Sequence, residues 1–258
     1  MVQPDFGATA QDYARHRAGF PDSLFERLAK FEIGLPGQIL LDLGTGTGTL
    51  ARGFARRGCQ VFGIDIARPL LDQAEILDAA EGLHVEYRVA RAEDTGFSDA
   101  SMDVVAAGQC WHWFDRARAA KEAIRLLRPK GTLVVAHFDW LPIAGNVVQA
   151  TETLIESHNP DWKLGGGVGM YPQWLGDLHA TGFCGLETFS YDLAVPYTHE
   201  KWRGRVRASA GVGGSLSEEE IRAFDKALAR LLAARYPAEI LDVAHRVFAV
   251  IAHRPPKL

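Results

Sequence analysis

The sequence predicts an α/β protein with a mainly parallel sheet and helices on both of its faces. Apolar runs of strand length alternate with segments of helical periodicity through the first half of the chain, which is the order expected of βαβ units. The apolar run at 38–43 shows no polar alternation and leads into a glycine-rich turn. Such a run is typical of a strand that is covered on both faces, as in a parallel sheet.

The elements follow in a regular order. A first helix at 22–31 begins after Pro21 and has apolar residues at helical spacing. Strands are predicted at 38–43, 60–65, 84–89, 102–108, 131–138, 183–191 and 245–253. The helices between them are predicted at 48–57, 68–80, 115–127, 143–157 and 171–180. Two more helical stretches lie within 198–234, and Ser217 with Glu220 forms a capping box at the start of the second.

Length and composition allow a full hydrophobic core, since the chain has 258 residues of which 47% are hydrophobic. A formal net charge of −4 does not suggest nucleic-acid binding. No run reaches the roughly 18 apolar residues of a membrane span, and residues 1–10 lack the pattern of a signal peptide. The three cysteines have no metal-ligand spacing. These features predict a cytoplasmic protein with free thiols and no metal, nucleic-acid or membrane partner.

The turn after the first strand carries the strongest functional signal, and residues 39–50 read ILLDLGTGTGTL. After Asp42, glycines stand at three alternate positions: Gly44, Gly46 and Gly48. Glycine permits backbone conformations that a Cβ forbids and lets a ligand approach the main chain closely. Asp65 ends the second strand, 17 residues after Gly48, where an acid can accept hydrogen bonds from both hydroxyls of a ribose. The segment therefore predicts a nucleotide-cofactor site.

Two other nucleotide loops fit less well. The dinucleotide fingerprint G-x-G-x-x-G/A needs a third small residue for helix packing, and Thr49 stands at that position. The phosphate loop requires a lysine after its last glycine, and none follows Gly48. A nicotinamide-dependent oxidoreductase therefore remains a disfavoured alternative.

The pattern D-x-G-x-G-x-G with a following ribose acid resembles motif I of class I S-adenosylmethionine (SAM) dependent methyltransferases. Downstream segments extend the resemblance over about residues 13–136. Val89–Phe97 resembles the loop beside adenine, and Ser101–Gln109 is similar to the fourth-strand motif of small-molecule methyltransferases. Cys110–Asp115, CWHWFD, resembles the HWFD element of the ubiquinone-biosynthesis-like and trans-aconitate methyltransferase-like subgroup. Ala123–Gly131 matches the helix and turn before the fifth strand.

The resemblance implies a Rossmann-like, seven-stranded, mostly parallel sheet with an antiparallel last strand and helical cover insertions. It implies one domain over 1–258, with a lid at 8–32 and substrate-cover insertions at about 140–181 and 192–243. The cofactor is then SAM, the product S-adenosylhomocysteine, and the acceptor an oxygen or nitrogen atom of a small molecule. Transfer depends mainly on alignment of the reactants, so few catalytic residues are obligatory.

The resemblance also implies the cofactor-binding residues. Tyr13–Pro21 is similar to an N-terminal segment of the subgroup whose tyrosine and arginine close over the methionine end of SAM. Arg17 can pair with the carboxylate there, or the segment forms a solvated helix face. The acid that often caps the adenine amine is replaced by Arg91. The implied cofactor-binding residues are Tyr13, Arg17, Asp42, Gly44, Thr45, Gly46, Gly48, Asp65, Ile66, Ala92, Glu93 and Gln109.

Candidate acceptor residues follow the fourth strand. His112 is the candidate general base, because its unperturbed pKa lies near neutrality. The alternative is that His112 and Trp113 cap the strand or line the cofactor pocket. Trp111 and Trp113 are candidate substrate residues, of which one should face the pocket and the other the core.

Arginines in the second predicted cover insertion are further candidates. Arg203 and Arg207 share a helix face and can hold a carboxylate substrate, or they form an ordinary solvated cationic face. Trp140, Trp162, Tyr171 and Trp174 are candidates for an aromatic acceptor pocket or for packing.

A SAM-binding protein without transferase activity remains an alternative, because the chain has Arg91 in place of the usual acid and no unambiguous base. Methylation of nucleic-acid bases ranks lower, since the fourth strand ends in Gly108–Trp111 rather than in an [DNS]-P-P-[YFW] platform. The sequence leaves the acceptor and the oligomeric state open.

Overall fold

The computed structural model describes residues 19–255, and in this part of the chain seven strands form one sheet. The strands are β1 (Ile39–Leu43), β2 (Gln60–Asp65), β3 (Glu86–Val89), β4 (Met102–Gly108), β5 (Leu127–Trp140), β6 (Cys184–Thr198) and β7 (Ile240–His253). Their order in the sheet is β3-β2-β1-β4-β5-β7-β6. The strand order reverses between β1 and β4, and ligands of open α/β sheets bind beyond the carboxyl ends of strands at such a reversal.

The first five strands pair in parallel. Leu41 of β1 lies opposite Phe62 of β2 on one side and Val105 of β4 on the other. β3 pairs with β2 and β5 pairs with β4 in the same sense. The last strands run antiparallel. The predicted α/β class, with a Rossmann-like, mostly parallel sheet of seven strands and an antiparallel last strand, is confirmed.

The α-helices within residues 19–255 are α1 (Asp22–Ala29), α2 (Thr49–Ala55), α3 (Arg68–Glu81), α4 (Arg116–Leu126), α5 (Val147–His158), α6 (Gln173–Ala180), α7 (His199–Arg207) and α8 (Glu218–Arg235). A short 3₁₀ helix spans Trp111–Trp113. Several helices begin after a side chain that accepts a hydrogen bond from a main-chain N–H: Asp115, Asn146, Thr198 and Ser217. The predicted capping box of Ser217 and Glu220 is confirmed. None of the helices in the described residues is long and apolar enough to cross a membrane.

The chain divides into two compact units, where the sequence predicts one domain with insertions. We call the first the sheet unit; it comprises Gly19–Phe138, Tyr171–Ser190 and residues 247–255 of the described chain. Fully buried apolar side chains of its strands and of the helices packed on them form its core. Among them are Leu41, Val105, Trp111, Val135 and Val250.

The first helix, α1, is a buried part of the sheet unit rather than a cover over it. Leu24 and Leu28 have no exposed surface. The ring of Phe25 packs edge-on against that of Phe54 in α2, at 5.1 Å between centroids. A Cβ at Gly53 would collide with the Phe25 ring, so the glycine allows the two helices to approach closely. Residues 8–18 of the predicted lid lie outside the described residues.

We call the second unit the helical unit; it comprises Asp139–Met170 and Tyr191–Arg246 of the described chain. Its core gathers side chains of α5, α7 and α8, including Ile155, Trp202, Phe224 and Leu228. The residue ranges of its two segments overlap the predicted insertions at 140–181 and 192–243. Residues 171–181 are the exception, because Trp174 and Leu178 of α6 lie in the core of the sheet unit.

Several boundaries differ from prediction. β5, β6 and β7 extend beyond 131–138, 183–191 and 245–253. Side chains along β6 mostly alternate between exposed and half-buried, the pattern of a strand with one packed face. Asp192 and Pro196 are rare residue types in strands, so propensity alone does not predict this extension. α5 begins at Val147 rather than at 143, because Asn146 caps it after the left-handed Gly145.

Candidate functional site

The glycine turn between β1 and α2 has the backbone geometry that its sequence predicts. Its glycines all have positive φ: 59° at Gly44, 57° at Gly46 and 76° at Gly48. A Cβ at Gly44 would lie 2.9 Å from Cζ of Phe114, and a Cβ at Gly48 would collide with the Tyr87 hydroxyl. A Cβ at Gly46 would meet nothing within 4 Å. The turn is therefore tightly packed at its two ends and borders open space at its centre.

A buried ion pair, Arg52 with Asp78, is hydrogen-bonded to the main chain of this turn. Nη1 of Arg52 lies 2.5 Å from Oδ1 of Asp78, and both residues are buried. Nη2 of Arg52 donates to the carbonyl of Thr47 at 2.8 Å, and the Tyr87 hydroxyl donates to Oδ2 of Asp78 at 2.8 Å. Burial, together with the nearby Asp78 charge, raises the pKa of Tyr87, so its hydroxyl stays protonated. Local sequence patterns do not predict this network, because its members come from α2, α3 and β3.

Asp42 lies beneath the turn and is 1% exposed. Its Oδ2 accepts a hydrogen bond of 2.6 Å from the hydroxyl of Thr45. Its Oδ1 is buried and has no hydrogen-bond partner within the described residues. Burial raises the pKa of Asp42 to about 7, although the hydrogen bond from Thr45 and the nearby main-chain N–H of Ala51 oppose this shift. A buried carboxylate oxygen without a donor fits a ligand that brings a cationic N–H group.

Asp65 ends β2 beside the same turn. Its Oδ2 accepts from the amide of Gly46 at 2.9 Å, and its Oδ1 accepts from the amide of Ala67 at 2.9 Å. Burial raises the pKa of Asp65. Each carboxylate oxygen has a second lone pair that can accept a ligand hydroxyl. The next residue, Ile66, is 55% exposed and offers an apolar surface next to these acceptors.

The loop after β3 contains two predicted cofactor-binding residues, Ala92 and Glu93, whose surroundings differ. Ala92 is 5% exposed and its methyl group belongs to the core, so its main chain is the part left to contact a ligand. Oε1 of Glu93 accepts from the amide of Asp115 at 2.9 Å, and Oε2 lies 3.4 Å from Nε of Arg91. The Glu93 side chain therefore links this loop to the start of α4. Its role in binding the cofactor stays a prediction.

The segment after β4 turns sharply at Gln109. This residue has a φ of 61°, which is uncommon for a residue with a Cβ. Its side-chain amide donates to the carbonyl of Phe138 at 2.6 Å. The thiol of Cys110 donates to the carbonyl of Leu43 at 3.0 Å. These bonds fix the segment to the ends of β5 and β1.

Trp111 and Trp113 face different surroundings, as their alternation predicts. Trp111 has no exposed surface and packs in the core, edge-on to Phe114 at 5.9 Å. Its assignment as a substrate residue is therefore corrected, because no face of the indole is accessible. Trp113 and His112 are half-buried, with ring centroids 4.6 Å apart.

A second histidine, His137, lies next to His112. It is not among the site residues that the sequence predicts. It comes from β5, is 2% exposed, and its ring centroid is 5.3 Å from that of His112. On its other side lie Tyr171 at 4.5 Å and Trp174 at 4.8 Å, which stack on each other at 4.2 Å. The sequence feature that could have indicated His137 is its position as the single polar residue of the apolar segment LVVAHF.

Arg203 and Arg207 are bound to a carboxylate of the protein itself. Nε and Nη2 of Arg203 donate to the two oxygens of Asp225, and Nη1 of Arg207 donates to Oδ1 at 2.7 Å. Burial raises the pKa of Asp225, but the two guanidinium groups outweigh this effect and hold it below its usual value. Both arginines therefore share one carboxylate of the protein, and their assignment as substrate ligands stays a prediction.

The remaining predictions concern the N-terminal segment and metals. Tyr13 and Arg17 lie outside the described residues. Within residues 19–255, no group of three or more histidine, cysteine or acidic side chains could hold a metal ion. Cys59, Cys110 and Cys184 are free thiols.

Several known proteins are similar to this chain in sequence. The family described as a methyltransferase domain matches residues 41–135. An uncharacterised methyltransferase of Mycobacterium tuberculosis is 35% identical over 128 residues, which are 50% of this chain and 49% of that protein. A ubiquinone biosynthesis O-methyltransferase of Xanthomonas campestris is 33% identical over 114 residues, 43% of this chain and 48% of that protein.

A solved structure extends the comparison of the fold. Phosphoethanolamine N-methyltransferase 2 of Haemonchus contortus, in complex with phosphomonomethylethanolamine and S-adenosylhomocysteine, has a TM-score of 0.58 at 20% identity. The match covers 97% of this chain and 57% of that one. The chain spans about half the length of the curated relatives it matches. The oxidoreductase alternative is not favoured. Residues 41–135 thus match the methyltransferase-domain family in sequence, and the fold is similar to that of the solved methyltransferase structure.

Proposed function

We propose that this protein transfers a methyl group from SAM to an oxygen or nitrogen atom of a small molecule. The observation that carries the proposal is the arrangement of three groups around the turn after β1. These are the buried Oδ1 of Asp42, the open space at Gly46 and the two acceptor oxygens of Asp65. An amino acid joined to a nucleoside brings the matching groups, namely an ammonium, a chain that passes close to the main chain, and a ribose diol.

Each residue of this arrangement then has a defined part in holding the cofactor. Asp42 accepts from the ammonium, the glycine turn lies along the methionine chain, and Asp65 accepts from the ribose hydroxyls. Ile66 packs on the adenine, which would bury its exposed surface. SAM supplies a methyl group activated by a positively charged sulfur, and S-adenosylhomocysteine is the product. Gln109 and Cys110 fix the segment that follows β4, and alignment of the acceptor is the main contribution of the protein.

His112 is the group that we assign to proton transfer. It is half-buried at the carboxyl end of β4 and follows the strained turn at Gln109. A neutral imidazole there accepts the proton that an acceptor hydroxyl or amine releases as its oxygen or nitrogen is methylated. Trp113 remains the candidate that contacts the acceptor beside it, since its indole is also half-buried.

The proposed acceptor is a small molecule, and the proposed location is the cytoplasm. The formal net charge of −4 argues against a nucleic-acid substrate.

The experiment is a calorimetric titration of cofactor-stripped protein with S-adenosylhomocysteine. We expect binding by the wild type and a loss of roughly 100-fold in affinity for Asp65→Ala, because two hydrogen bonds to a charged group are removed. Asp72→Ala is the matched control, since Asp72 is an exposed aspartate paired with Arg68 on the surface of α3. Its affinity should equal that of the wild type.

Turnover is then measured as formation of S-adenosylhomocysteine from SAM with a panel of phenols, amines and small acids. Binding without turnover of any acceptor would favour a SAM-binding protein. Failure of the wild type to bind S-adenosylhomocysteine would reject the proposal as a whole.

A further inference from the structure

The glycine turn, residues 44–48, packs against the side chain of Tyr87 from β3. The ring of Tyr87 lies over Gly63 of β2, where a built Cβ would come within 2.7 Å of two ring carbons. Its hydroxyl lies next to Gly48, where a Cβ would collide with the hydroxyl oxygen. Gly48 and Gly63 therefore leave the space that this one side chain occupies. All of these residues belong to the sheet unit.

A chain of hydrogen bonds joins the Tyr87 hydroxyl to the main chain of the turn. The hydroxyl donates to Oδ2 of Asp78 at 2.8 Å, and Oδ1 of Asp78 lies 2.5 Å from Nη1 of Arg52. Nη2 of Arg52 donates to the carbonyl of Thr47 at 2.8 Å. Arg52 and Asp78 are buried, and so is Thr47. We call Arg52, Asp78 and Tyr87 the support network of the turn.

The ion pair of the support network has further charged neighbours of both signs. Nε of Arg52 also lies 3.6 Å from Oε1 of Glu81, which pairs with the exposed Arg56. Apolar side chains of similar size can replace a buried ion pair with little loss, and sometimes a gain, of stability. They cannot replace the N–H donor that Arg52 offers to the carbonyl of Thr47. The contribution specific to this arginine is therefore its contact with the turn.

The composition of the turn makes such a contact important. Three of its five residues are glycines, and glycine has more backbone freedom to lose than any other residue. A ligand that must order a mobile segment binds less tightly, because part of the binding free energy goes into the ordering. We propose that Arg52, Asp78 and Tyr87 are positioning residues that hold the glycine turn ready for the cofactor. This inference rests on the proposed function and adds to it three residues that act on the cofactor through the turn.

The test removes the polar groups of the support network and keeps apolar side chains in their place. Arg52→Met, Asp78→Leu and Tyr87→Phe are combined in one variant, because Arg52→Met alone would leave the Asp78 carboxylate buried without its cation. Calorimetric titration with S-adenosylhomocysteine, far below the melting temperature, gives the affinity. We expect the combined variant to bind about tenfold more weakly than the wild type, because the turn must then be ordered on binding. Tyr87→Phe alone, which removes one hydroxyl, should bind about threefold more weakly.

The matched control alters an ion pair at the opposite end of the same sheet. Asp103, near the start of β4, accepts from Nη1 of Arg128 and from the amide of Ile39, each at 2.8 Å. Ile39 is the first residue of β1, whereas the glycine turn follows the last. Asp103→Leu combined with Arg128→Met should bind S-adenosylhomocysteine as tightly as the wild type does. Equal weakening in this control and in the combined variant would overturn the inference, because the effect would then be a general one.

Hydrogen exchange of single amides separates positioning from general stabilisation. In the wild type the amide of Gly46 donates to Asp65, and that of Gly48 donates to a carbonyl within the turn. In the ligand-free combined variant, NMR should show about tenfold faster exchange at these two amides, because the turn opens more often. Exchange at Leu41 and Val105, in the centre of the sheet, should change much less. An equal increase at all four amides, with affinity unchanged, would make the network merely structural and would overturn the inference.

The affinity of the wild type separates failure of this inference from failure of the proposed function. If the wild type binds S-adenosylhomocysteine and the combined variant and Tyr87→Phe bind it equally well, this inference is overturned and the proposed function stands. If the combined variant does not fold, the affinity of Tyr87→Phe decides alone. If the wild type does not bind S-adenosylhomocysteine, the proposed function is rejected and this inference falls with it.

Discussion

The glycine turn of the sheet unit and helix α7 of the helical unit are both predicted binding regions, yet they are built in opposite ways. The turn depends on main-chain conformation, with positive φ at Gly44, Gly46 and Gly48. Helix α7 depends on side chains, and two of its arginines are occupied by Asp225. A site made by the main chain can be read from local sequence. A site made by side chains depends on partners that sequence spacing does not reveal.

The largest expected effect is at the centre of the glycine turn. Gly46→Ala should weaken binding of S-adenosylhomocysteine by roughly 100-fold, because the methyl group enters the space proposed for the cofactor. Gly37→Ala is the matched control, since Gly37 also has a positive φ and nothing within 4 Å of a built Cβ. Both variants should lose about 1–2 kcal/mol of stability from backbone strain. Calorimetry on the two variants checks this, and equal affinities would place the cofactor elsewhere.

The next effect concerns chemistry rather than binding. His112→Gln should lower kcat by about 100-fold or more if His112 is the general base, while affinity for S-adenosylhomocysteine stays constant. The acidic limb of the pH–rate profile should disappear with it. His84→Gln is the control, because His84 is exposed at the surface of the sheet unit. A kcat within threefold of the wild type would assign catalysis to alignment alone, by the positioning argument.

Asp42 makes the cofactor site sensitive to pH. Burial raises its pKa from 3.8 to about 7, so the carboxyl is partly protonated at neutral pH. Affinity for S-adenosylhomocysteine should rise about tenfold between pH 6 and pH 8 as this carboxylate ionises and can pair with the ammonium. Calorimetry at several pH values checks this, and Asp42→Asn should flatten the dependence.

The raised pKa of Asp42 also makes the stability of the ligand-free protein depend on pH, but stability falls with rising pH whereas affinity for the cofactor rises. A folded-state pKa above the unfolded value means that the contribution of Asp42 to stability is complete below about pH 4 and is lost as the pH rises through 7. Asp42→Asn should therefore melt at a higher temperature than the wild type at pH 8. A lower melting temperature would show that the ionised carboxylate is stabilised by a partner.

The sequence anticipated much of the sheet unit, since apolar strand runs and alternating glycines act over a few residues. The sequence does not predict which residues of other elements each side chain contacts. Oε1 of Glu93 accepts a hydrogen bond from the amide of Asp115, 22 residues away, and local sequence does not reveal this contact. His137 reaches His112 only because β4 and β5 are adjacent in the sheet. Helical spacing groups Arg203 with Arg207 correctly, but it does not show that α8 places Asp225 against them.

The smallest expected effect tests this last point. Asp225→Ala removes the partly buried carboxylate that both Arg203 and Arg207 contact, so the free energy of unfolding should fall by about 2 kcal/mol. Denaturant unfolding measures it, with Glu218→Ala as control, because Glu218 forms an exposed pair with Arg222. If the free energy of unfolding were the same as in the wild type, the contact of Asp225 with the two arginines would contribute nothing to stability, and the contrast between the two regions would disappear.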